Sequence, residues 1–258
     1  MRLHSERSAC SGECGGPTLV LLHGWGLGSD VWAPLLEPLQ PHFEILRFDL
    51  PGLGRSAEFP TPYRLESVAA AVLEQVPESA IWLGWSLGGL VAAEAARQAP
   101  HRVRGLVTVA SNPCFVARAD WPCAMAPEVF DDFVARLDAD PARTLGSFAM
   151  LQTQGALGAR ASLRLLKTLI ASLEPSALAP ALQLLAEDRR ETLAQLELPM
   201  LHVFGAEDRL VPAAIVERLG AQLPHASLRC YEGAGHLPFH SHADRFCEDL
   251  RQFAGGLR

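Results

Sequence analysis

The chain has 258 residues, with 22 lysines and arginines against 29 aspartates and glutamates, and 49% of its residues are hydrophobic. It is too apolar for a disordered protein, and its formal net charge of −7 disfavours nucleic acid or an anionic membrane as a partner, since both attract basic surfaces. No apolar run reaches the roughly 20 residues that span a bilayer, and the opening residues lack an apolar signal segment. We therefore expect a cytoplasmic protein.

The predicted elements of the first half alternate between β-rich runs and segments with helical spacing. The β-rich runs cover residues 18–24, 43–50, 80–86 and 105–111, and the helical segments cover 31–39, 65–76 and 87–99. This alternation is typical of βαβ units and predicts an α/β fold with a mostly parallel sheet flanked by helices. The first 16 residues have the composition of a polar tail.

The pattern changes from residue 114 to residue 187, where several amphipathic segments occur and no run is typical of a strand. Strand patterns return at 199–208 and 227–235, with helical patterns near 213–222 and 242–253. We expect residues 1–113 and 188–258 to form one core, and residues 114–187 to form a helical insertion.

The string Gly84-Trp85-Ser86-Leu87-Gly88 joins a predicted strand directly to a predicted helix. Such a tight turn forces its central residue into a strained backbone conformation and needs small residues two positions away on either side. Ser86 is then a candidate nucleophile, exposed at the carboxyl edge of the sheet. The alternative is an ordinary glycine turn whose serine caps the helix.

A serine hydroxyl needs a neighbouring base, which a third group must orient. Asp208 ends a predicted strand and is the candidate acid, with Glu207 as the second choice. His236 lies in a loop of small residues after the last predicted strand and is the candidate base. The other histidines fall in predicted turns, in a strand or at a helix start, where structural roles explain them better.

The string His23-Gly24-Trp25-Gly26 follows the first clear strand and has the form of a loop that supplies a backbone donor to an oxyanion. The expected donors are the N–H groups of Trp25 and Leu87. We expect His23 to hold this loop in place rather than to transfer protons. The alternative is an ordinary glycine turn.

The six cysteines lie at positions 10, 14, 114, 123, 230 and 247. A chain of this size needs no disulfide, and the cytoplasm keeps thiols reduced. Cys10 and Cys14 could supply half of a metal site, but no second pair of ligands is near them in sequence. We expect free thiols and no bound metal.

In this order, the strings HGWG, DLPGLGRS, GWSLGG, GAEDRLVP and GAGHLPF resemble the α/β-hydrolase superfamily over the whole chain after residue 16. The resemblance implies a Ser86, Asp208 and His236 triad and makes residues 114–187 the lid. Within the superfamily, HGWGLGSDVW, GWSLGGLVA and FAMLQT are similar to the pimeloyl-[acyl-carrier protein] methyl ester esterases of biotin synthesis.

This closer resemblance implies a serine carboxylesterase that removes methanol from a pimeloyl methyl ester held by an acyl-carrier protein, without a cofactor. It implies that the carrier docks on Arg143, Arg160 and Arg164, with Ser147 standing where the family pattern has another arginine. The substrate-contacting residues that it implies are Trp25, Ser86, Leu87, Phe148, Gln152 and His236.

Helical spacing supports a basic surface independently, because Arg160, Arg164 and Lys167 share one face of a predicted helix. The alternative is an ordinary solvated face. Apolar residues of the insertion could line an acyl channel, and packing within the insertion explains them equally well; they are Phe148, Met150, Leu151, Leu165 and Leu166.

Two other functions fit the same residues. A general short-chain carboxylesterase or a carbon–carbon bond hydrolase would share the triad and differ in its substrate. A ligand receptor on the same scaffold would bind without turnover, and the intact Ser86, Asp208 and His236 set argues against it. We expect the protein to act as a monomer.

Overall fold

A seven-stranded sheet forms the centre of the computed structural model, which describes residues 1–12, 16–77, 79–173 and 175–257. The strand order is β1-β3-β2-β4-β5-β6-β7, and every neighbouring pair is parallel except β1 with β3. The prediction of an α/β fold with a mostly parallel sheet is therefore confirmed. The strands are β1 (Ser5–Ser8), β2 (Thr18–Leu22), β3 (Glu44–Phe48), β4 (Ala80–Trp85), β5 (Val103–Val109), β6 (Met200–Gly205) and β7 (Ser227–Tyr231).

Both faces of this sheet are covered, as a parallel sheet requires. Successive residues of a strand point to opposite faces, so Leu19 and Val20 of β2 belong to two different buried clusters. The helices that follow the strands of the core are α1 (Ala33–Leu39), α2 (Leu65–Leu73), α3 (Leu87–Gln98), α9 (Ile215–Gln222), α10 (Pro238–Ser241) and α11 (Ala243–Gly255).

The remaining helices lie between β5 and β6, and all but the last of them fall within residues 114–187, where the sequence predicts a helical insertion. Cys114 and Asp188, one at each end of this segment, form an isolated β-bridge that brings the two ends together. The helices are α4 (Pro127–Ala139), α5 (Pro141–Thr153), α6 (Ala159–Ala171), α7 (Leu178–Gln183) and α8 (Arg190–Ala194).

The N-terminal residues, whose polar composition leaves their order open, contribute a strand to the sheet. Ser5–Ser8 form an antiparallel edge strand on β3, with Ser5 opposite Phe48. An edge strand is held by backbone hydrogen bonds and tolerates charged side chains, and here Glu6 pairs with Arg47. Leu3 anchors the segment because it is buried in the core.

The five cysteines that the structure describes are free thiols, and Cys14 lies outside the described residues. Within the described ranges, no cluster of histidine, cysteine and carboxylate side chains could hold a metal ion. The same ranges contain no helix that is both long and apolar enough to cross a membrane.

Candidate active site

Ser86 occupies the turn between β4 and α3, in a conformation that few residues adopt. Its φ of 53° and ψ of −117° lie in strained backbone space. A Cβ on Gly84 would lie 2.1 Å from the carbonyl oxygen of Gly88, so the turn closes only with glycine at position 84. Val109 and Ser111 hold the strained residue, because Ser86 N–H donates to Val109 O at 2.9 Å and Ser111 Oγ donates to Ser86 O at 2.8 Å.

His236 and Asp208 form a buried pair at the same edge of the sheet. His236 Nδ1 lies 2.7 Å from Asp208 Oδ2, and the two residues are 1% and 6% exposed. The backbone N–H groups of Leu210 and Val211 donate to Asp208 Oδ1 at 2.8 and 3.1 Å, which fixes the carboxylate. The side chain of Glu207, the second choice for the acid, makes no hydrogen bond to any described residue.

The other ring nitrogen of His236, Nε2, is available to accept a proton. Because a carboxylate can only accept, the tautomer of the neutral imidazole that fits this contact has its proton on Nδ1 and an acceptor at Nε2. Nε2 is buried and has no hydrogen-bond partner among the described residues. Trp85 fixes the loop, since its Nε1 donates to His236 O at 2.8 Å and its ring centroid lies 5.6 Å from the imidazole centroid.

Two backbone donors lie beside Ser86. Leu87 is the first residue of α3, so its N–H has no partner within the helix and lies at the positive end of the helix dipole. The Trp25 N–H also donates to no described acceptor. Gly24 packs against the nucleophile, because a Cβ at position 24 would be 3.3 Å from Ser86 Cβ.

His23 connects the loop that contains Trp25 to the loop that follows β3. Its Nδ1 lies 2.7 Å from Gly24 O, and Leu50 N–H donates to its Nε2 at 2.9 Å, so the ring bridges two loops with one proton. Burial lowers the pKa of His23, which keeps the imidazole neutral.

Asp49 stabilises the neighbouring loop, residues 49–56, whose sequence is DLPGLGRS. It accepts from the N–H groups of Ser29 at 2.6 Å and Arg55 at 2.7 Å. Burial opposes ionisation of this carboxyl, but the hydrogen bonds from Ser29 and Arg55 outweigh burial and lower the pKa of Asp49 to about 2.

Helix α5 covers this edge of the sheet and corrects the expectation that Ser86 stands exposed. Ser86 is 7% exposed. The carbonyl oxygen of Gln152 accepts from His236 N–H at 3.1 Å, and a Cβ on Gly26 would meet Leu145 at 2.7 Å. The insertion therefore contacts both the histidine loop and the donor loop.

An apolar cavity of about 230 Å³ is lined by residues of α4 and α5 and by Leu210, which follows Asp208 by two residues. Phe133 and Phe148 line it, and their rings pack against each other and against Trp25 with centroids 5.2 to 5.5 Å apart. Only Arg136 and Ser147 are polar among its lining residues, and the apolar ones are Phe115, Met125, Val129, Phe130, Phe133, Phe148, Leu151, Leu182, Leu185 and Leu210.

Of the predicted substrate residues, Phe148 lines this cavity and Trp25 packs against Phe148, with ring centroids 5.2 Å apart. Gln152 and His236 contact each other through the backbone hydrogen bond described above. Gln152 is 2% exposed, and its Oε1 has no hydrogen-bond partner among the described residues. This amide oxygen can therefore accept a hydrogen bond from a group that binds beside it.

Of the five apolar residues for which the sequence leaves a channel or packing open, three do not line this cavity. Met150 is 51% exposed on the outer face of α5, and Leu166 packs into a core cluster with sheet residues. Leu165 is half-buried on α6, away from the cavity lining. Their positions follow from helix rotation, because only residues on one face of α5 and α6 point inward.

The predicted docking arginines lie on the outer surface of the insertion. Arg143 is exposed in the first turn of α5, and Arg160 and Arg164 are exposed one turn apart on α6. None of these three forms an ion pair within the described ranges. Ser147 lies between them, lining one groove with Arg143 and a second groove with Arg160.

Phe133, Arg136 and Leu210 line the cavity but were not predicted as site residues. Leu210 follows Asp208 by two residues, so the position of the acid is a signal that could have found it. Phe133 and Arg136 belong to the amphipathic pattern of α4, and that pattern does not distinguish a face that packs in a core from one that lines a cavity.

Comparison with known proteins identifies the family of the chain. The family described as alpha/beta hydrolase fold matches residues 17–243. Proteins named pimeloyl-[acyl-carrier protein] methyl ester esterase are similar to the chain: that of Yersinia enterocolitica is 44% identical over 94% of each chain, and that of Edwardsiella ictaluri is 47% identical over 92% of this chain and 93% of its own.

Among solved structures, an esterase from Exiguobacterium antarcticum superposes with a TM-score of 0.87 at 20% identity, covering 98% of this chain and 96% of its own. At that identity the likeness concerns the fold alone. With a family match over most of the chain and relatives this similar along nearly their whole length, the chain belongs to the α/β-hydrolase family.

Proposed function

We propose that this protein is a serine carboxylesterase that hydrolyses the methyl ester of pimeloyl-acyl-carrier protein to pimeloyl-acyl-carrier protein and methanol, in biotin synthesis. The observation that carries the reaction class is the 2.7 Å contact between His236 and Asp208 at the sheet edge that holds the strained Ser86. The substrate is inferred from the relatives, which bear this name at 44% to 47% identity.

In the first step, Ser86 Oγ attacks the carbonyl carbon of the methyl ester while His236 Nε2 takes the hydroxyl proton. Asp208 keeps the proton on Nδ1 and stabilises the imidazolium that forms. The N–H groups of Trp25 and Leu87 donate to the oxyanion, and each such donor is worth about 3 kcal/mol in the transition state.

The tetrahedral intermediate then collapses and its bond to the methoxy oxygen breaks. His236 gives its proton to that oxygen, methanol leaves, and the acyl chain stays on Ser86 as an ester. A water molecule that loses a proton to His236 attacks this ester, Ser86 Oγ leaves and regains the proton, and the free carboxylic acid is released. The cycle needs neither a metal nor an organic cofactor.

The acyl chain lies in the apolar cavity in this proposal, with Phe148 along its side and Gln152 near the reacting end. Residues 114–187 act as a lid that closes over Ser86. The carrier docks on the outer face of this lid, where Arg143, Arg160 and Arg164 offer unpaired guanidinium groups to an acidic partner. Ser147 supplies no charge between them, so the docking surface is less basic than in the family pattern.

The test measures methanol release from carrier-bound pimeloyl methyl ester and from methyl butyrate. It compares the wild type with Ser86→Ala, with an Arg160→Ala/Arg164→Ala double variant, and with Arg251→Ala as a control. Arg251 matches the two arginines in being exposed on a helix, but it lies on α11 of the core.

We expect the wild type to prefer the carrier-bound ester, Ser86→Ala to be inactive on both esters, and the double variant to lose only the preference. If both esters are cleaved equally well and Arg160 and Arg164 have no effect, the protein is a general short-chain carboxylesterase. If an organophosphate does not label Ser86 and no ester turns over, the protein is a receptor on this scaffold.

A further inference from the structure

We infer that Arg136 is a further specificity-determining residue, whose guanidinium binds an oxygen at the far end of the acyl chain, opposite the ester that reacts. The inference deepens the proposed function and rests on it, because that function supplies a chain with a carbonyl at each end. The occupant is the thioester carbonyl of the carrier-bound substrate, and a free carboxylate of the same spacing is its small-molecule equivalent.

Arg136 lies where the apolar cavity opens to the surface. It lines the 230 Å³ cavity together with Phe133 and Ser147, and the same three residues also line an adjoining surface groove between α4 and α5. The two spaces therefore adjoin at these residues, and Arg136, whose side chain is 62% exposed, lies at the surface end of the cavity. Arg136 is the one charged side chain among the residues that line the cavity.

The proposed substrate has five methylene groups between its two carbonyl carbons. Six carbon–carbon bonds of about 1.5 Å in a zigzag separate those carbons by roughly 7–8 Å. From the donor loop toward the surface end of the cavity, the ring centroids of Trp25 and Phe133 are 5.5 Å apart. Arg136 follows Phe133 by one helical turn, about 5–6 Å, and its flexible side chain can reach back toward the cavity.

Arg136 forms an ion pair and still has N–H groups that can bind a substrate. Asp132, one turn earlier on α4, forms an ion pair with it, and the two side chains are 62% and 55% exposed. A guanidinium has five N–H donors, so donors remain for a substrate oxygen. Exposed pairs of this kind are weak, and we expect the contact to change kcat/KM by about fivefold.

The test compares three methyl esters of equal chain length. Monomethyl pimelate carries a carboxylate at the far end, dimethyl pimelate carries an ester carbonyl there, and methyl heptanoate carries no far oxygen. Arg136→Met removes the donors and keeps a long helix-forming side chain, and Arg136→Lys keeps the charge. Arg251→Met is the matched control, because Arg251 is also exposed and paired with a carboxylate of its own helix.

We expect Arg136→Met to lower kcat/KM about fivefold for the two pimelate esters, through KM, and to leave methyl heptanoate unchanged. Arg136→Lys should keep most of the preference for monomethyl pimelate, and Arg251→Met should match the wild type on all three esters. The melting temperature of each variant shows whether the fold is intact.

Equal losses on all three esters would overturn the inference, because they would show a structural role for Arg136. No loss on either pimelate ester would overturn it as well. The proposed function fails separately: if the wild type does not cleave the carrier-bound ester while the pimelate preference still depends on Arg136, the carrier substrate is wrong and the role of Arg136 stands.

Discussion

Replacing Asp208 with asparagine tests the proposed triad without disturbing the fold. The two oxygens of the carboxylate accept different hydrogen bonds. Oδ1 accepts from the N–H groups of Leu210 and Val211, and Oδ2 accepts from His236 Nδ1. An asparagine keeps the hydrogen bonds from Leu210 and Val211, since its amide oxygen can accept from the same two N–H groups. Its NH2 group then faces Nδ1, where it can only donate.

The imidazole of His236 must respond by accepting at Nδ1 and carrying its proton on Nε2. In that tautomer it cannot take the proton of Ser86, and the charge that stabilises the imidazolium is also lost. We expect kcat to fall by about 10⁴, which corresponds to roughly 5.5 kcal/mol in the activation barrier. The assay is methanol release from methyl butyrate, with a thermal unfolding curve for each variant.

Glu207→Gln is the matched control, because it changes the neighbouring carboxylate in the same way. Its side chain makes no hydrogen bond to a described residue, so activity should stay within twofold of the wild type. If Asp208→Asn keeps activity within tenfold of the wild type, or if Glu207→Gln loses as much, the assignment of the acid is refuted.

Three further predictions concern the turn, the sheet and the substrate cavity. Gly84→Ala should lower the free energy of unfolding by at least about 3 kcal/mol in urea titrations, because its Cβ would lie 2.1 Å from Gly88 O, whereas Gly146→Ala, with nothing within 4 Å, should be neutral or stabilising. Equal effects of the two changes would contradict the packing of the turn. Burial lowers the pKa of His202 to about 4, so the unfolded chain gains its proton first as the pH falls. The free energy of unfolding should therefore drop by about 3 kcal/mol between pH 6.5 and pH 4, and His202→Asn should remove that part of the slope. An unchanged slope in the variant would show that other groups control it. Gln152→Leu should raise KM for the carrier-bound ester without lowering the melting temperature, and an unchanged KM would remove Gln152 from the substrate site.

The strands of the core could be predicted from the sequence because a parallel sheet buried on both faces leaves continuous apolar runs. Residues 18–24 and 80–86 are such runs, and they contain β2 and β4. The strand at Ser5–Ser8 has no apolar run in the sequence, since an edge strand needs only backbone hydrogen-bond partners. Its charged residues find partners on β3 and the following loop, which a local pattern does not show.

The candidate triad could be predicted because each of its members follows a strand at the same edge of the sheet. Chain order alone then places Ser86, Asp208 and His236 near one another. The cavity could not be predicted, because its wall depends on how α4 and α5 are rotated against the sheet. Phe148 and Met150 are two residues apart on α5, yet one packs on Trp25 and the other lies on the surface.

The most direct test of the central claim is single-turnover methanol release from carrier-bound pimeloyl methyl ester, followed by intact-mass measurement of the protein. The account predicts that methanol appears in a burst while a pimeloyl chain is attached through an ester to Ser86, and that Ser86→Ala shows neither. Methanol release by Ser86→Ala at the wild-type rate, or an acyl group found on another residue, would contradict it.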